Sequence, residues 1–241
     1  MKAWISIPVL SLLCALVWAD SDNSFLRDAV NGEGRTAEEV ARDSNRKPIE
    51  TLAFFGLKPN MKVVELLPGG GWYSKILTAA LADEGQYYAA LGTDRLLKIL
   101  DVKTTGKTSE LTKLDGAGSI YQVDEVDLGI TDVDMILTFR NAHNFNAETR
   151  RRINNAAFAA LKSGGVYGII DHTKRHMEPV SDWTWRRLDP VMVIQEAVQA
   201  GFVFEAYSDL HARAEDELKY DTRHDSLVNE SDRFTLKFRK P

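Results

Sequence analysis

From residue 61 onward, short apolar runs alternate with segments of helical periodicity, and this alternation restricts the fold more than any other feature. Lys62–Leu67 is typical of a buried strand, and Trp72–Leu81 places its apolar side chains on one helical face. The same alternation recurs along the chain, with strands at Gln86–Leu91, Val133–Thr138 and Val166–Ile170 and helices at 148–161 and 190–200. It predicts an α/β, Rossmann-like fold, a mainly parallel sheet with helices on both faces.

Three further segments complete this prediction. Ser119–Val123 is expected to be the third strand, and Phe202–Tyr207 continues as extended chain after a helix that stops at Gly201. Arg233–Phe238 alternates like a half-buried strand and suits an antiparallel final strand near the sheet edge. We therefore expect a single domain over residues 20–241, with a helical segment at 20–60 and a core at 61–241.

The first nineteen residues have the layout of a secretory signal peptide. Lys2 supplies a positive start, Ala3–Val17 is an apolar run, and Ala19 offers a small residue at the cleavage position. An uncleaved N-terminal anchor is the alternative; after cleavage we expect no stable membrane anchor and an exported, periplasmic protein. The only cysteine, Cys14, lies in this segment, so the mature chain would lack thiol nucleophiles and cysteine ligands for zinc.

The charge balance of the chain favours small-molecule partners over nucleic acids. The chain has 30 Lys and Arg against 35 Asp and Glu, a net charge of −5 with interspersed signs, whereas nucleic-acid-binding domains normally carry a basic surplus. No ligand spacing diagnostic of a metal site is present, so no metal is expected. The sequence does not indicate an oligomeric state.

A glycine-rich turn follows the first strand. Glu65 lies near the end of the strand, and Pro68-Gly69-Gly70-Gly71 leads into a helix whose free N–H groups can face a ligand. This arrangement predicts a nucleotide-like ligand. A dinucleotide site is the competing interpretation, because Gly69, Gly71 and Ser74 approximate its glycine pattern and Asp94 follows about 20 residues later.

These segments resemble class I S-adenosylmethionine (SAM)-dependent methyltransferases, which implies a seven-stranded sheet. The resemblance rests on Val63–Gly71, on Asp134–Leu137 and on Leu161–Val166. Further segments are similar to a group of exported predicted methyltransferases: Arg42-Asp43 through Arg46-Lys47-Pro48, Phe54-Phe55-Gly56, Pro68-Gly69-Gly70-Gly71-Trp72-Tyr73, Thr138–Phe145, Asp171-His172 and Glu230-Ser231-Asp232-Arg233.

The resemblance implies SAM as cofactor and assigns residues to it. The implied cofactor-binding residues are Glu65, Gly69, Gly70, Gly71, Asp94, Asp124, Arg140 and Asn141. Two positions depart from the superfamily pattern. Leu67 replaces the first glycine of the turn, and Leu91 stands where an acidic residue normally holds the ribose hydroxyls, so Asp94 is expected to substitute for it.

Polar residues after the fourth and fifth strands are candidates for catalysis. His143 is the natural base to remove a proton from a methyl acceptor, and Asp171 and His172 are expected to orient a substrate or to supply a second base. In the structural alternative, such residues cap helices, as Asn144 or Asn146 would for the helix at 148.

Two functions follow from these observations. The first is SAM-dependent methyl transfer to a small-molecule or envelope acceptor. The alternative is an exported non-catalytic binding protein that retains the fold without normal cofactor affinity. A nicotinamide oxidoreductase, which would use the dinucleotide pattern, is a third possibility.

Overall fold

A computed structural model describes residues 23–116, 118–227 and 229–241. The expected signal peptide at 1–19 and Cys14 lie outside these ranges. Among the described residues, no helix is both long enough and apolar enough to cross a membrane.

The helices expected at 72–81, 148–161 and 190–200 are present, and four helices precede the first strand. The helices are α1 Ser24–Asn31, α2 Ala37–Val40, α3 Asp43–Arg46, α4 Pro48–Phe55, α5 Trp72–Ala80, α6 Ala147–Ala160 and α7 Pro190–Gln199. The strands are β1 Lys62–Leu66, β2 Gln86–Ala90, β3 Lys103–Thr105, β4 Lys107–Thr108, β5 Thr112–Lys113, β6 Tyr121–Gln122, β7 Val126–Asp127, β8 Val133–Phe139, β9 Leu161–His172, β10 Val203–Ser208 and β11 Arg233–Arg239.

Seven strands form the central sheet, in the order β10-β11-β9-β8-β1-β2-β3. Neighbouring strands are parallel except at β11, which runs antiparallel to both β9 and β10. The α/β class, the mainly parallel sheet and the antiparallel final strand are confirmed. Because β1 lies between β2 and β8, the residues that follow these three strands share one edge of the sheet.

Two strand predictions need correction. The segment expected as the third strand forms β6 instead and pairs with β5 outside the central sheet. The third strand of the sheet is β3, whose Lys-Thr-Thr sequence at the sheet edge has no apolar run to signal it. The final strand β11 lies near the sheet edge as expected, between β9 and the edge strand β10, but it is largely buried and not half-buried.

The core lies on both faces of the sheet. Alternate side chains of the strands point to opposite faces, so Val63 packs with α1, α4 and α5, whereas Val64 packs with α6 and α7. Asn146 begins α6 as its N-cap, accepting a hydrogen bond from the Thr149 amide at 2.9 Å. The capping interpretation is thus confirmed for Asn146, and the preceding loop remains available for a site.

Candidate active site

Three neighbouring strands end in residues with strained backbone. Leu67 follows β1 with a φ of 55°, Leu91 follows β2 with a φ of 62°, and Arg140 follows β8 with a φ of 61°. Left-handed backbone costs a residue with a side chain about 1–2 kcal/mol, and such strain concentrates at functional sites. The carboxyl edge of β1, β2 and β8 is therefore the candidate site.

The glycine turn after β1 forms one wall of a cavity of about 270 Å³. We call it the glycine-turn cavity; its lining residues are Glu39, Arg46, Glu65, Leu67, Pro68, Gly69, Gly70, Trp72, Tyr73, Phe139, Arg140 and Asn141. A side chain at Gly69 would begin in open space, whereas a Cβ at Gly71 would lie 2.7 Å from Leu96 Cδ1. Gly69 and Gly70 thus border the cavity, while Gly71 permits close packing behind the turn.

Glu65 places a buried carboxyl group in the glycine-turn cavity. It is 3% exposed, and its Oε2 accepts hydrogen bonds from Ser74 Oγ at 2.6 Å and Tyr87 Oη at 2.7 Å. Burial raises the pKa of Glu65 to about 7, although both hydrogen bonds and the nearby Arg46 act in the opposite direction. A cationic ligand group beside this carboxyl would favour its ionised form.

A second, apolar cavity of about 200 Å³ adjoins the first at Leu67. Its lining residues are Leu67, Leu91, Gly92, Thr108, Leu111, Tyr121, Val123, Val126, Asn144, Phe145 and Ile153. The walls suit a flat, weakly polar ring. Among the described residues, no carboxylate lines this cavity.

The structure does not bring Asp94 or Asp124 to these cavities. Both are exposed, and Asp124 accepts a surface hydrogen bond from Gln122 Nε2 at 2.9 Å. Asn141 borders the glycine-turn cavity, but its Nδ2 donates to the carbonyls of Leu67 at 3.1 Å and Phe139 at 3.2 Å. That amide joins the ends of β1 and β8 and so positions the cavity wall.

His143, Asp171 and His172 come together after β8 and at the end of β9. Asp171 is fully buried; its Oδ1 lies 2.6 Å from His143 Nδ1, and its Oδ2 accepts from the His143 amide at 3.1 Å. The carboxylate therefore holds the proton on Nδ1 of His143 and leaves Nε2 to accept a proton. This is the orientation that a general base requires.

His172 differs from His143 in its surroundings. Its Nδ1 lies 2.9 Å from Ser231 Oγ, and its ring centre is 5.5 Å from that of His143. Burial, together with the nearby charges of Arg140 and Arg233, holds the pKa of His172 well below its usual value. His172 is therefore neutral at pH 7.

The same three residues are also a possible metal-ligand set, because one ligand atom from each lies within 4.8 Å of the others. Both oxygens of Asp171 already accept hydrogen bonds, from the amide and ring of His143 and from the amide of His172. Arg140 and Arg233 raise the positive charge around His172. This environment disfavours a divalent cation and favours a hydrogen-bonded base.

Both histidines open into a third cavity, of about 640 Å³. We call it the arginine cavity; its lining residues are Arg42, Arg95, Ser119, Tyr121, Arg140, Asn141, His143, Asn144, His172, Trp185, Arg186, Thr222, Arg223, Asn229, Ser231 and Arg233. Six of these are arginines, and within the described ranges no Asp or Glu lines it. It meets the glycine-turn cavity at Arg140 and Asn141, and the apolar cavity at Tyr121 and Asn144.

Sequence reasoning missed most of the arginine cavity. Arg42 comes from the N-terminal helical segment, and Ser231 and Arg233 come from the region where β11 begins. A signal was present, because these residues lie in two of the segments that carried the resemblance. Nothing in the spacing of either segment, however, indicated that they meet.

No protein-family model matches the chain, and no curated protein matches it. Solved structures do match its fold. A SAM-dependent methyltransferase from Aquifex aeolicus is 18% identical, with a TM-score of 0.50 over 82% of this chain and 92% of that chain. Human N-acetylserotonin methyltransferase, solved in complex with SAM, is 12% identical, with a TM-score of 0.52 over 97% of this chain and 60% of that one.

A third match differs in its activity. The [4+2]-cyclase SpnF is 14% identical, with a TM-score of 0.53 over 90% of this chain and 91% of its own. At such identities the likeness establishes the fold alone. The chain therefore has the Rossmann-like fold of SAM-dependent methyltransferases, a fold that is also found in a cyclase.

Proposed function

We propose that this protein binds SAM across the glycine-turn and apolar cavities and transfers a methyl group to an acceptor in the arginine cavity. The observation that carries the proposal is the junction of the three cavities. The two proposed cofactor cavities share Leu67, and each also opens into the arginine cavity, where His143 lies. A ligand that extends past Leu67 from one cofactor cavity into the other would thus face the acceptor with its central part.

The residues present fit this cofactor. Gly69 leaves room where any side chain would intrude, Glu65 can accept an amino group, and Arg46 can bind a carboxylate in the same cavity. The apolar cavity suits an adenine ring. When bound, SAM would supply a methyl group on a positively charged sulfur, which a nucleophile can displace.

The protein's own residues would then remove the proton from the acceptor. Asp171 holds His143 with Nδ1 protonated, so Nε2 accepts the proton that the acceptor loses. Trp185, which is buried and lies 6.4 Å from the His143 ring, limits the access of water to the base. His172 and Ser231 form the neighbouring wall and can hydrogen-bond a neutral part of the acceptor.

One observation favours the alternative of a binding protein without transferase activity. Leu91 occupies the position of the expected ribose-binding acid, and no carboxylate among the described residues replaces it in the apolar cavity. Loss of one charged hydrogen bond, about 1.5–3 kcal/mol, lowers affinity by about one to two decades. A protein with such affinity would bind SAM only where it is abundant.

Export remains a separate proposal, which rests on the sequence of residues 1–19. SAM is made inside cells, so an exported enzyme would have to acquire its cofactor before export or from outside. Comparing the protein in periplasmic and cytoplasmic fractions tests the proposal. Recovery of the intact leader in the cytoplasm would contradict it.

Calorimetric titration with S-adenosylhomocysteine tests the proposed cofactor site. We expect a micromolar dissociation constant, about −8 kcal/mol, and at least tenfold weaker binding for Gly69→Ala. Gly34→Ala is the matched control, because Gly34 also has a positive φ and open surroundings but lies outside the three cavities. Absence of binding at millimolar ligand would contradict the proposal.

A further inference from the structure

Three buried arginine side chains outside the arginine cavity have carboxylate partners. Arg187 forms two hydrogen bonds with Asp216, at 2.9 and 3.0 Å, and Arg150 forms two with Glu196, at 2.8 and 2.7 Å. Arg35 is paired with Asp43 in the same way. This is the usual arrangement, because an unpaired buried charge is costly.

Within the arginine cavity, Arg186 pairs with Asp221. Arg42 and Arg233 depart from this arrangement. Arg233 is 3% exposed, yet its guanidinium donates only to neutral acceptors, Asn45 Oδ1 and the Asn229 carbonyl at 2.9 Å. Arg42 forms no ion pair or side-chain hydrogen bond with any described residue. The Nε atoms of both arginines are buried without a partner in the described chain.

Like charges surround this pair. Arg140 and Arg42 both lower the pKa of Arg233, which burial and these charges bring to about 10. The protein therefore holds several guanidinium groups close together without a neutralising carboxylate on the cavity wall. An anion bound between them would satisfy the free donors and relieve the repulsion.

The position of these groups separates them from the proposed cofactor site. Arg42 and Arg233 line the arginine cavity but not the glycine-turn cavity, whereas Arg46 lines only the latter. The carboxylate of a cofactor in the glycine-turn cavity would therefore bind Arg46. Arg42 and Arg233 remain for a second ligand, on the same cavity wall as Ser231 and Asn229.

We propose that the acceptor is a small anionic molecule whose phosphate or carboxylate group binds between Arg42 and Arg233. This inference rests on the proposed function, because it names the chemical class of the acceptor. The anionic group would anchor the molecule at one wall, so that its nucleophilic oxygen or nitrogen lies against His143. A cavity of about 640 Å³ accommodates an anchor and a reactive group in one small molecule.

The test is calorimetric titration of the purified protein with inorganic phosphate and, separately, with succinate, at ionic strength held constant with chloride. We expect saturable binding of at least one probe and at least tenfold weaker binding in Arg42→Gln. Tighter binding of phosphate would identify a phosphorylated acceptor, and tighter binding of succinate a carboxylic acid. Arg151→Gln is the control, because Arg151 is exposed and pairs with Glu148 outside the cavity.

A second titration separates this proposal from the cofactor site. Affinity for S-adenosylhomocysteine should be unchanged in Arg42→Gln, and the variant should unfold no more easily than wild type, because its substitution removes like-charge repulsion. Equal probe binding in wild type and Arg42→Gln, or no probe binding, would overturn the anionic acceptor and leave the cofactor proposal standing. Loss of S-adenosylhomocysteine binding in Arg42→Gln would also overturn it, by assigning Arg42 to the cofactor. If only S-adenosylhomocysteine fails to bind wild type, the cofactor proposal fails and the anion site stands.

Discussion

The glycine-turn cavity and the arginine cavity adjoin at Arg140 and Asn141, yet they differ sharply in charge. The first contains the carboxyl groups of Glu39 and Glu65 together with Arg46, so it can hold a ligand that has both an amino group and a carboxylate. The second is lined by six arginines and, among the described residues, by no acid. The comparison supports the proposal of two ligands of different charge, and on that proposal changes in one cavity should leave binding of the other ligand unaffected.

The largest expected effect is on methyl transfer and concerns the arginine cavity. His143→Ala removes the proposed base and should lower turnover about 100-fold or more, while S-adenosylhomocysteine affinity stays unchanged. Transfer of a labelled methyl group from SAM to a panel of phosphorylated and carboxylated small molecules measures the loss. His224→Ala is the control, because His224 is half-buried, stacks on Tyr220 and does not line the cavity. Wild-type turnover in His143→Ala would refute the role of this base.

The next effect concerns only the glycine-turn cavity and depends on pH. The folded-state pKa of Glu65 is about 7, and a bound amino group would favour its ionised form, so binding would release a proton. Affinity for S-adenosylhomocysteine should rise by up to about tenfold per pH unit between pH 5 and 7, then level off. Titrations at several pH values measure this slope. Glu65→Gln should abolish it, and a retained slope in this variant would assign the proton to another group.

Glu65 also affects stability in the absence of ligand. Its pKa rises on folding from 4.5 to about 7, so its neutral form is favoured in the native state. Its stabilising contribution is complete below pH 4.5 and is lost as pH rises through 7, by about 3 kcal/mol. Urea unfolding at pH 5 and pH 8 should give a smaller change in unfolding free energy for Glu65→Gln than for wild type. An equal change would show that Glu65 is ionised in the folded protein.

A matched pair of arginine variants tests whether the two cavities bind their ligands independently. Arg46→Gln should weaken S-adenosylhomocysteine binding about tenfold and leave phosphate binding unchanged, which is the reverse of the result expected for Arg42→Gln. Calorimetry of both ligands with both variants measures the four affinities. If both variants weaken the binding of both ligands, the two cavities act as one site.

The smallest expected effect is in the apolar cavity. Leu91→Asn would place a hydrogen-bonding group where the resemblance implies a ribose contact, and asparagine tolerates the left-handed backbone at this position. We expect S-adenosylhomocysteine affinity to increase severalfold, up to about tenfold. Titration of the variant against wild type tests this expectation. No gain would indicate that the ribose does not approach Leu91.

The two cavities also differ in how far the sequence predicted them. The glycine turn, Glu65 and the following helix are close in the chain, so local pattern identified them together. His143 and Asp171 were identified because each comes after a predicted strand, and parallel strands bring their ends to one edge. The arginine cavity escaped prediction because Arg42 and Arg233 meet only through tertiary packing.

Local polarity caused the remaining errors. The third strand β3 is short, polar and at the edge, so it lacks the apolar run by which a strand is recognised. In β11, alternation suggested one solvent-facing side, but Thr235 on that side is buried and bonds to His211 Nδ1 at 2.7 Å. The polar residue at this position of β11 therefore forms a hydrogen bond inside the protein and does not face solvent.

The insertion of β11 between β9 and β10 has a consequence for the order of folding. β10 has no sheet partner until β11, which follows every other element in sequence, has entered the gap. That entry also brings Arg233 to Asn45, across a separation of 188 positions. Because contacts between distant segments form slowly, we expect the strands around the glycine turn to assemble early. The wall that joins Arg42 and Arg233 would then be among the last parts of the molecule to form.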